Sequence, residues 1–215
     1  MYLFYFDNIQ GANIRELTRS DFVKICVYGA ASPKIDKEYI EMVEALGEEM
    51  VNRGHSLVFG GGGNGLMGAA ARGVFAKGGY IEGVIPSFFE NEEIEAVFPN
   101  CDMVYETQTM RERKQMMEDL SDAFIIVPGG IGTFEEFFEI MTLRQLCRHN
   151  KPIALYNIKG YYNELNAMMQ AAVEKGFVRS AVEDLYLTTD NLTELFTFLE
   201  TPQPENQLVK ALKDG

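Results

Sequence analysis

The sequence predicts an α/β protein built as a Rossmann-like, doubly wound parallel sheet with helices on both faces. Short apolar runs of the kind that form buried strands alternate along the chain with longer segments of helical periodicity. Most of these runs are unbroken by polar residues, which is typical of parallel strands covered on both faces. Glycine clusters follow two of the runs directly, at the strand ends where ligands bind in such folds.

Each predicted element follows from its own local pattern. The first strand ends at a glycine, and the helix after it keeps apolar residues on one side until Gly54 stops it. Strands are predicted at 24–28, 56–59, 80–85, 103–105, 123–127, 153–156 and 185–187. Helices are predicted at 37–53, from about 65 to 78, at 110–120, from about 133 to 147, and at 161–175 and 192–199, whereas 90–100 is predicted to be irregular.

The chain is expected to fold as one domain. Its 215 residues can bury a substantial core, and the sequence has no linker, internal repeat or low-complexity tract. We divide it into an N-terminal extension (1–23), a single Rossmann-like domain (24–200) and a polar tail (201–215). The extension begins with a short apolar segment, 1–6, which lacks a basic region and is therefore not expected to be a signal peptide.

Composition excludes several classes of partner. The net charge of −13 would repel a long polyanion, so no nucleic-acid partner is expected, although backbone N–H groups can still bind a single phosphate. No apolar run reaches the roughly 18 residues of a membrane span, so no membrane partner is expected either. The cysteines, Cys26, Cys101 and Cys147, form no C-x-x-C pair and are expected to be free thiols, which favours a cytoplasmic location.

The segment 128–133 is the sharpest candidate for a binding site. Its glycines, Gly129, Gly130 and Gly132, let the backbone approach an anion, and the following helix points free N–H groups at the same place. The alternative is a plain strand-to-helix turn that required glycine. A second glycine run, 60–63, is weaker evidence, because no Walker lysine follows and glycine can simply allow close packing of a helix against a strand.

Two charged residues on predicted helices are candidates for chemistry, each with a structural alternative. Glu136 would place a carboxylate in the first turn after the glycine loop, but it could equally complete a capping box with Thr133. Helical periodicity places Arg113 on the apolar face of its helix, behind a capping box that Thr109 opens. A buried guanidinium needs a partner, which could be an anionic substrate, Glu136 or a structural ion pair.

The remaining polar residues give weaker signals. Lys114 could contact a phosphate, although a lysine at this position is more often simply exposed. The acidic run 90–95 could line the rim of the pocket. His55 and His149 have no second ligand at metal-site spacing, so no metal is expected.

Several motifs, taken in order, resemble one known family. Residues 128–136 match PGGxGTxxE, 110–114 match MxxRK, and 60–68 match GGGxxGLMG, with further agreement at 83–86 and 160–162. From about residue 24 to 199 the sequence is similar to the Lonely guy (LOG) family of cytokinin riboside 5′-monophosphate phosphoribohydrolases, whose members are often labelled "lysine decarboxylase". It departs from the family after the first strand, where Tyr28-Gly29-Ala30-Ala31-Ser32 stands in place of a CGS-like turn and hydroxyl donors are partly lost.

This resemblance implies a nucleotide-binding homodimer without a cofactor, which hydrolyses N6-modified AMP, or AMP itself, to free base and ribose 5-phosphate. The family's catalytic pair would fall on Arg113 and Glu136. The substrate-binding residues would be Gly29, Gly61, Gly62, Glu93, Lys114, Gly129, Gly130, Ile131, Gly132, Thr133 and Thr142.

A non-catalytic nucleotide or cofactor carrier or sensor on the same fold is the alternative. Amino-acid decarboxylation would need a pyridoxal phosphate lysine with its partners, and the sequence has no such constellation.

Overall fold

The computed structural model describes residues 23–91 and 96–203. The sheet has seven strands in the order β4-β3-β2-β1-β5-β6-β7, and every neighbouring pair is parallel. The strands are β1 (Lys24–Tyr28), β2 (Ser56–Phe59), β3 (Ile81–Pro86), β4 (Met103–Thr107), β5 (Ala123–Ile126), β6 (Ile153–Tyr156) and β7 (Leu187–Thr189). The α helices are α1 (Lys37–Asn52), α2 (Gly65–Ala76), α3 (Ser87–Asn91), α4 (Met110–Leu120), α5 (Ile131–Gln145), α6 (Asn163–Glu174) and α7 (Leu192–Glu200).

The predicted fold class is confirmed, with local differences. The short helix α3 occupies a segment for which no element was predicted. The last strand begins at Leu187 rather than 185, because Ser180–Leu185 form a 3₁₀ turn whose Leu185 is buried. Helix α6 begins at Asn163, since a 3₁₀ turn at Ile158–Gly160 precedes it. The expected extension, apart from Val23, and the end of the expected tail lie outside the described residues.

The strand order creates one topological switch point, at β1. From β1 the chain builds outward through β2, β3 and β4, and it then returns to place β5 on the other side of β1. Connections from the carboxyl ends of β1 and β5 therefore run in opposite directions. A crevice opens between such ends, and this crevice is the usual ligand site of open parallel sheets.

The sheet is covered by helices on both faces, and the alternation of side chains along β1 separates the two cores. Ile25 and Val27 pack with residues of α1, α2 and α7. Cys26 and Tyr28 point to the opposite face, where they pack with residues of α4, α5 and α6. None of the helices in the described ranges combines the length and apolarity needed to cross a bilayer.

Helices α1 and α2 pack with their backbones in near contact. A Cβ at Gly73 would lie 2.0 Å from the carbonyl oxygen of Glu44, and one at Gly47 would lie 2.4 Å from that of Ala70. Both obstacles are backbone atoms of a neighbouring helix, which move only if the helices separate. The glycines therefore set the distance between α1 and α2, which together form one side of the sheet's cover.

We expect Gly73→Ala to destabilise the protein by about 2 kcal/mol, although alanine is intrinsically the better helix former by about 1 kcal/mol. Chemical denaturation measured by circular dichroism tests this. Gly132→Ala is the matched control, because in the part of the chain that the structure describes no atom lies within 4 Å of a Cβ at this glycine in helix α5. Unchanged or increased stability of Gly73→Ala would show that the helices separate without cost.

Candidate active site

Arg113 lies on the inward face of α4, as predicted, and is only 5% exposed. The helix begins with the predicted capping box, in which Thr109 and Glu112 exchange side-chain-to-backbone hydrogen bonds. The Arg113 guanidinium donates from Nε to the carbonyl oxygen of Val84 (3.1 Å) and from Nη2 to that of Gly60 (2.9 Å). Within the described residues its charge is solvated by carbonyl dipoles and not by a carboxylate, so of the alternatives weighed above neither Glu136 nor a structural ion pair supplies its partner there.

The glycine run after β2 makes room for this guanidinium. A Cβ at Gly60 would stand 1.8 Å from Nη2 of Arg113, so any larger residue would displace the arginine. Gly61 has a φ of +78° and faces Ile85, and Gly62 pairs with Val97 in a β-bridge. These contacts give the run a packing role. Substrate contact by Gly61 and Gly62 stays a prediction.

An aromatic residue that the sequence analysis missed covers Arg113. The Phe89 ring lies with its centroid 5.3 Å from the guanidinium carbon of Arg113, within the range of a cation–π interaction. Helix α3 presents this ring directly after β3 ends at Pro86. The adjacent aromatic pair Phe88 and Phe89 was the available signal in the sequence. Glu93, the predicted rim residue of the same stretch, lies outside the described residues.

Helix α5 starts three residues earlier than the glutamate-capping alternative requires. Its N-cap is Gly130, with no side-chain capping bond, so Thr133 is already inside the helix and buried. The alternative in which Glu136 caps the helix through Thr133 is therefore wrong. Glu136 projects from the second turn of α5 with its carboxylate not used in capping.

The glycine loop before α5 is open at two of its glycines. No atom of the described residues lies within 4 Å of a Cβ at Gly130 or Gly132, whereas one at Gly129 would collide with the Thr133 side chain. The hydroxyl of Tyr161 donates to the carbonyl oxygen of Gly129 (2.6 Å) and holds the loop in place. The loop thus combines a fixed backbone, free space and the amino end of a long helix, which is the arrangement that binds anions.

Glu136 is half-buried and lies in the electrostatic field of Arg113. Burial raises the pKa of Glu136 from 4.5 to about 7, while the positive charge of Arg113 acts to lower this pKa. The two side chains influence each other without forming a direct ion pair, since the guanidinium's hydrogen bonds go elsewhere. A carboxyl group that titrates near neutrality is suited to proton transfer or to stabilising a cation.

A cleft of about 330 Å³ opens at the switch point between β1 and β5. Its walls include Ala30, Pro128 and the loop glycines Gly129 and Gly130, together with side chains from α1 and α2. Gly29 lies next to Ala30 and packs so tightly that a Cβ there would stand 2.3 Å from Val127. The cleft therefore meets the glycine loop on the α1–α2 side of the sheet. Arg113 lies on the opposite face, where α4 packs, and Glu136 belongs to the helix that the loop begins.

Three further predicted site residues lie at different distances from the glycine loop. Ile131, the first residue of α5, is 89% exposed beside the open glycines. Lys114 pairs with Glu135 and Glu139 of α5. Thr142 lies about 14 Å further along α5 than Thr133, by helical rise, and its hydroxyl donates to the carbonyl oxygen of Phe138. Within one chain the structure does not bring Thr142 to the glycine loop.

Solved structures with the same fold include molybdenum cofactor carriers. The carrier protein from Chlamydomonas reinhardtii aligns with a TM-score of 0.62 at 20% identity, covering 81% of this chain and 94% of that one. The molybdenum cofactor binding protein from Rippkaea orientalis aligns with a TM-score of 0.59 at 16% identity, covering 92% and 99%. At these identities the likeness concerns the fold alone.

Similarity in sequence is much closer to a group of plant enzymes. Cytokinin riboside 5′-monophosphate phosphoribohydrolase LOG5 of Arabidopsis thaliana is 36% identical over 196 residues, covering 91% of this chain and 85% of the relative. LOG1 of the same plant is 38% identical, covering 90% of each. A family model described as "Possible lysine decarboxylase" matches residues 67–199. The chain belongs to this family, together with the cytokinin riboside 5′-monophosphate phosphoribohydrolases of the LOG type.

Proposed function

We propose that this protein hydrolyses the N-glycosidic bond of a nucleoside 5′-monophosphate, releasing the free base and ribose 5-phosphate. The substrate is AMP or an N6-modified AMP such as a cytokinin riboside 5′-monophosphate, the compound named in its relatives. The observation that carries the proposal is Glu136, a half-buried carboxyl group whose pKa is raised to about 7, which lies in the field of the Arg113 guanidinium on the helix that begins at the open glycine loop.

The glycine loop would bind the 5′-phosphate. The backbone amides at the start of α5, from Ile131 to Thr133, have no side-chain cap to occupy them. The open space at Gly130 and Gly132 admits a phosphate to within hydrogen-bonding distance of these amides. Phosphate binding far from the reacting bond supplies energy that positions the ribose, so the rate gain depends on an intact 5′-phosphate.

Glu136 and Arg113 would act on the ribose. Breaking the bond between C1′ and the base nitrogen leaves an oxocarbenium-like sugar, which a carboxylate can stabilise while it activates the attacking water. The water oxygen then bonds to C1′, and a proton derived from water ends on the released base. Arg113 would keep part of Glu136 ionised near neutral pH, because its charge opposes the effect of burial on the pKa. Water is the only co-substrate in this scheme.

The assembly and location are further parts of the proposal. We propose a homodimer, in line with the family, and the exposed apolar side chains of Ile131, at the start of α5, and Leu146, at its C-cap, support a second copy covering that helix. A cytoplasmic location is supported by the cysteines, all of which are free thiols. The net charge of −13 supports a small phosphorylated substrate over a nucleic acid.

Incubation with AMP and isopentenyl-AMP, followed by chromatography, should detect free base and ribose 5-phosphate in equal amounts. We expect Glu136→Gln to lower kcat by about 10²- to 10⁴-fold, because it removes the carboxylate that faces the ribose. Glu174→Gln, on the exposed surface of α6, is the matched control and should retain full activity. Tight nucleotide binding without any release of base would instead identify a carrier.

The phosphate site can be tested with Gly132→Asp, which places a carboxylate where the phosphate would bind. The variant should fold, because the position is open and an acidic residue suits the first turn of a helix. We expect the KM for AMP to rise at least about tenfold through charge repulsion. Gly132→Ala should change the KM little, and an equal loss in both variants would contradict the assignment.

The raised pKa of Glu136 also predicts how stability depends on pH. The folded protein holds this proton up to about pH 7, whereas the unfolded chain releases it near 4.5, so ionisation of Glu136 lowers stability as pH rises between these values. Glu136→Gln removes that cost. Urea denaturation should find the variant more stable by on the order of 2 kcal/mol at pH 8 and equal to the wild type at pH 4. A less stable variant at pH 8 would contradict the pKa.

A further inference from the structure

Lys114 connects the two helices that carry the proposed catalytic pair. Its ammonium group forms an ion pair with Glu135 and another with Glu139, where the Nζ–Oε2 distance is 2.7 Å. Both carboxylates belong to α5, one turn apart on the same side of the helix. The Lys114 side chain is only 14% exposed, so most of it is packed between α4 and α5.

These contacts occupy the ammonium group of a residue that sequence reasoning offered as a phosphate ligand. To reach a phosphate, Nζ would have to leave two carboxylates and a site that shields it from solvent. Lys114 directly follows Arg113, and Glu135 directly precedes Glu136. The ion pairs of Lys114 therefore join the sequence neighbours of the two proposed catalytic residues, and they fix α5 against α4 at the height of these residues.

We propose that Lys114 is a positioning residue, which fixes the second turn of α5 against α4 and thereby holds the carboxylate of Glu136 opposite Arg113, and that it is not a ligand of the substrate phosphate. The inference rests on the proposed function in one respect, namely that Glu136 takes part in the reaction. The effect of Lys114 on Glu136 can be measured on the protein alone, without any enzymatic reaction.

The charges around Glu136 determine what the loss of Lys114 would do. Helix α4 contributes the positive charges of Arg113 and Lys114, which lower the pKa of Glu136, and α5 contributes Glu135 and Glu139, which raise it. From β1, Cys26 and Tyr28 face the same region as buried neutral groups whose own pKa values are raised chiefly by burial. Without Lys114, a positive charge is lost and two carboxylates are left unpaired, and both changes favour protonated Glu136.

The direct test is a ¹³C NMR titration of the Glu136 carboxyl carbon in the full-length protein, assigned with Glu136→Gln. Lys114→Met should raise the Glu136 pKa by roughly 0.5 to 1 unit, whereas Lys114→Arg, which keeps the charge, should leave it near the wild-type value. Thermal melting identifies any variant that fails to fold. An unchanged pKa in folded Lys114→Met would overturn the proposal.

Kinetics on AMP separate positioning from phosphate binding. Positioning predicts that Lys114→Met moves the acidic limb of the kcat–pH profile to higher pH and changes the KM by less than about threefold, with arginine restoring the profile. A phosphate ligand predicts a KM at least about tenfold higher and an unmoved acidic limb, and that result would overturn the proposal.

Freeing Lys114 gives an independent check. The double variant Glu135→Gln/Glu139→Gln releases its ammonium group. If Lys114 were a phosphate ligand, this variant would bind AMP more tightly than the wild type. The positioning role predicts no gain in affinity and a lower pKa of Glu136. Tighter AMP binding, measured by calorimetry, would overturn the proposal. If the wild type hydrolysed no nucleotide, the proposed function would fail while the titration still decided the role of Lys114.

Discussion

The buried guanidinium of Arg113 is the constraint on which the rest of the site depends. A charge removed from water has to be solvated by the protein, and here two backbone carbonyls do this, from Gly60 after β2 and Val84 in β3. This solution forces glycine at position 60, since a side chain would occupy the space of the guanidinium. Among the residues that the structure describes, it also leaves the positive charge without a carboxylate partner, and the field of this charge acts on Glu136. The burial of Arg113 thus accounts for the glycine at position 60, for the use of the Gly60 and Val84 carbonyls as acceptors, and for the positive field at Glu136.

The two glycine clusters look alike in the sequence but meet opposite physical requirements. The first cluster, 60–63, is buried and gives its space to protein atoms, above all to Arg113. The second is open at Gly130 and Gly132, where nothing of the described chain would meet a side chain. Only the second therefore leaves space for a ligand. Both clusters follow strands of one parallel sheet, whose carboxyl ends align, so the buried run and the open loop lie at the same edge of the sheet.

Features that depend on residues close together in the sequence were predictable. Features that depend on contacts between segments far apart in the sequence were not. The capping box at Thr109 and the inward orientation of Arg113 follow from spacing within one helix, and the structure has both. The capping alternative for Glu136 failed because α5 starts at a glycine N-cap, which has no side chain to reveal it. The partners of Lys114 lie on another helix, and helical periodicity carries no information about them. Phe89 was missed for the same reason, since its contact with Arg113 joins segments more than twenty residues apart.

At Glu136 the requirements of stability and of the proposed function conflict. Burial disfavours its ionised form, which raises its pKa towards neutrality, and the fold bears the cost when the group ionises. Arg113 limits this cost, but a stronger interaction such as a direct ion pair would lower the pKa further and neutralise the charge that the substrate needs. The guanidinium of Arg113 instead donates to the carbonyl oxygens of Gly60, after β2, and Val84, in β3. The protonation of Glu136 is therefore a compromise, in which the charge of Arg113 offsets only part of the effect of burial on the pKa.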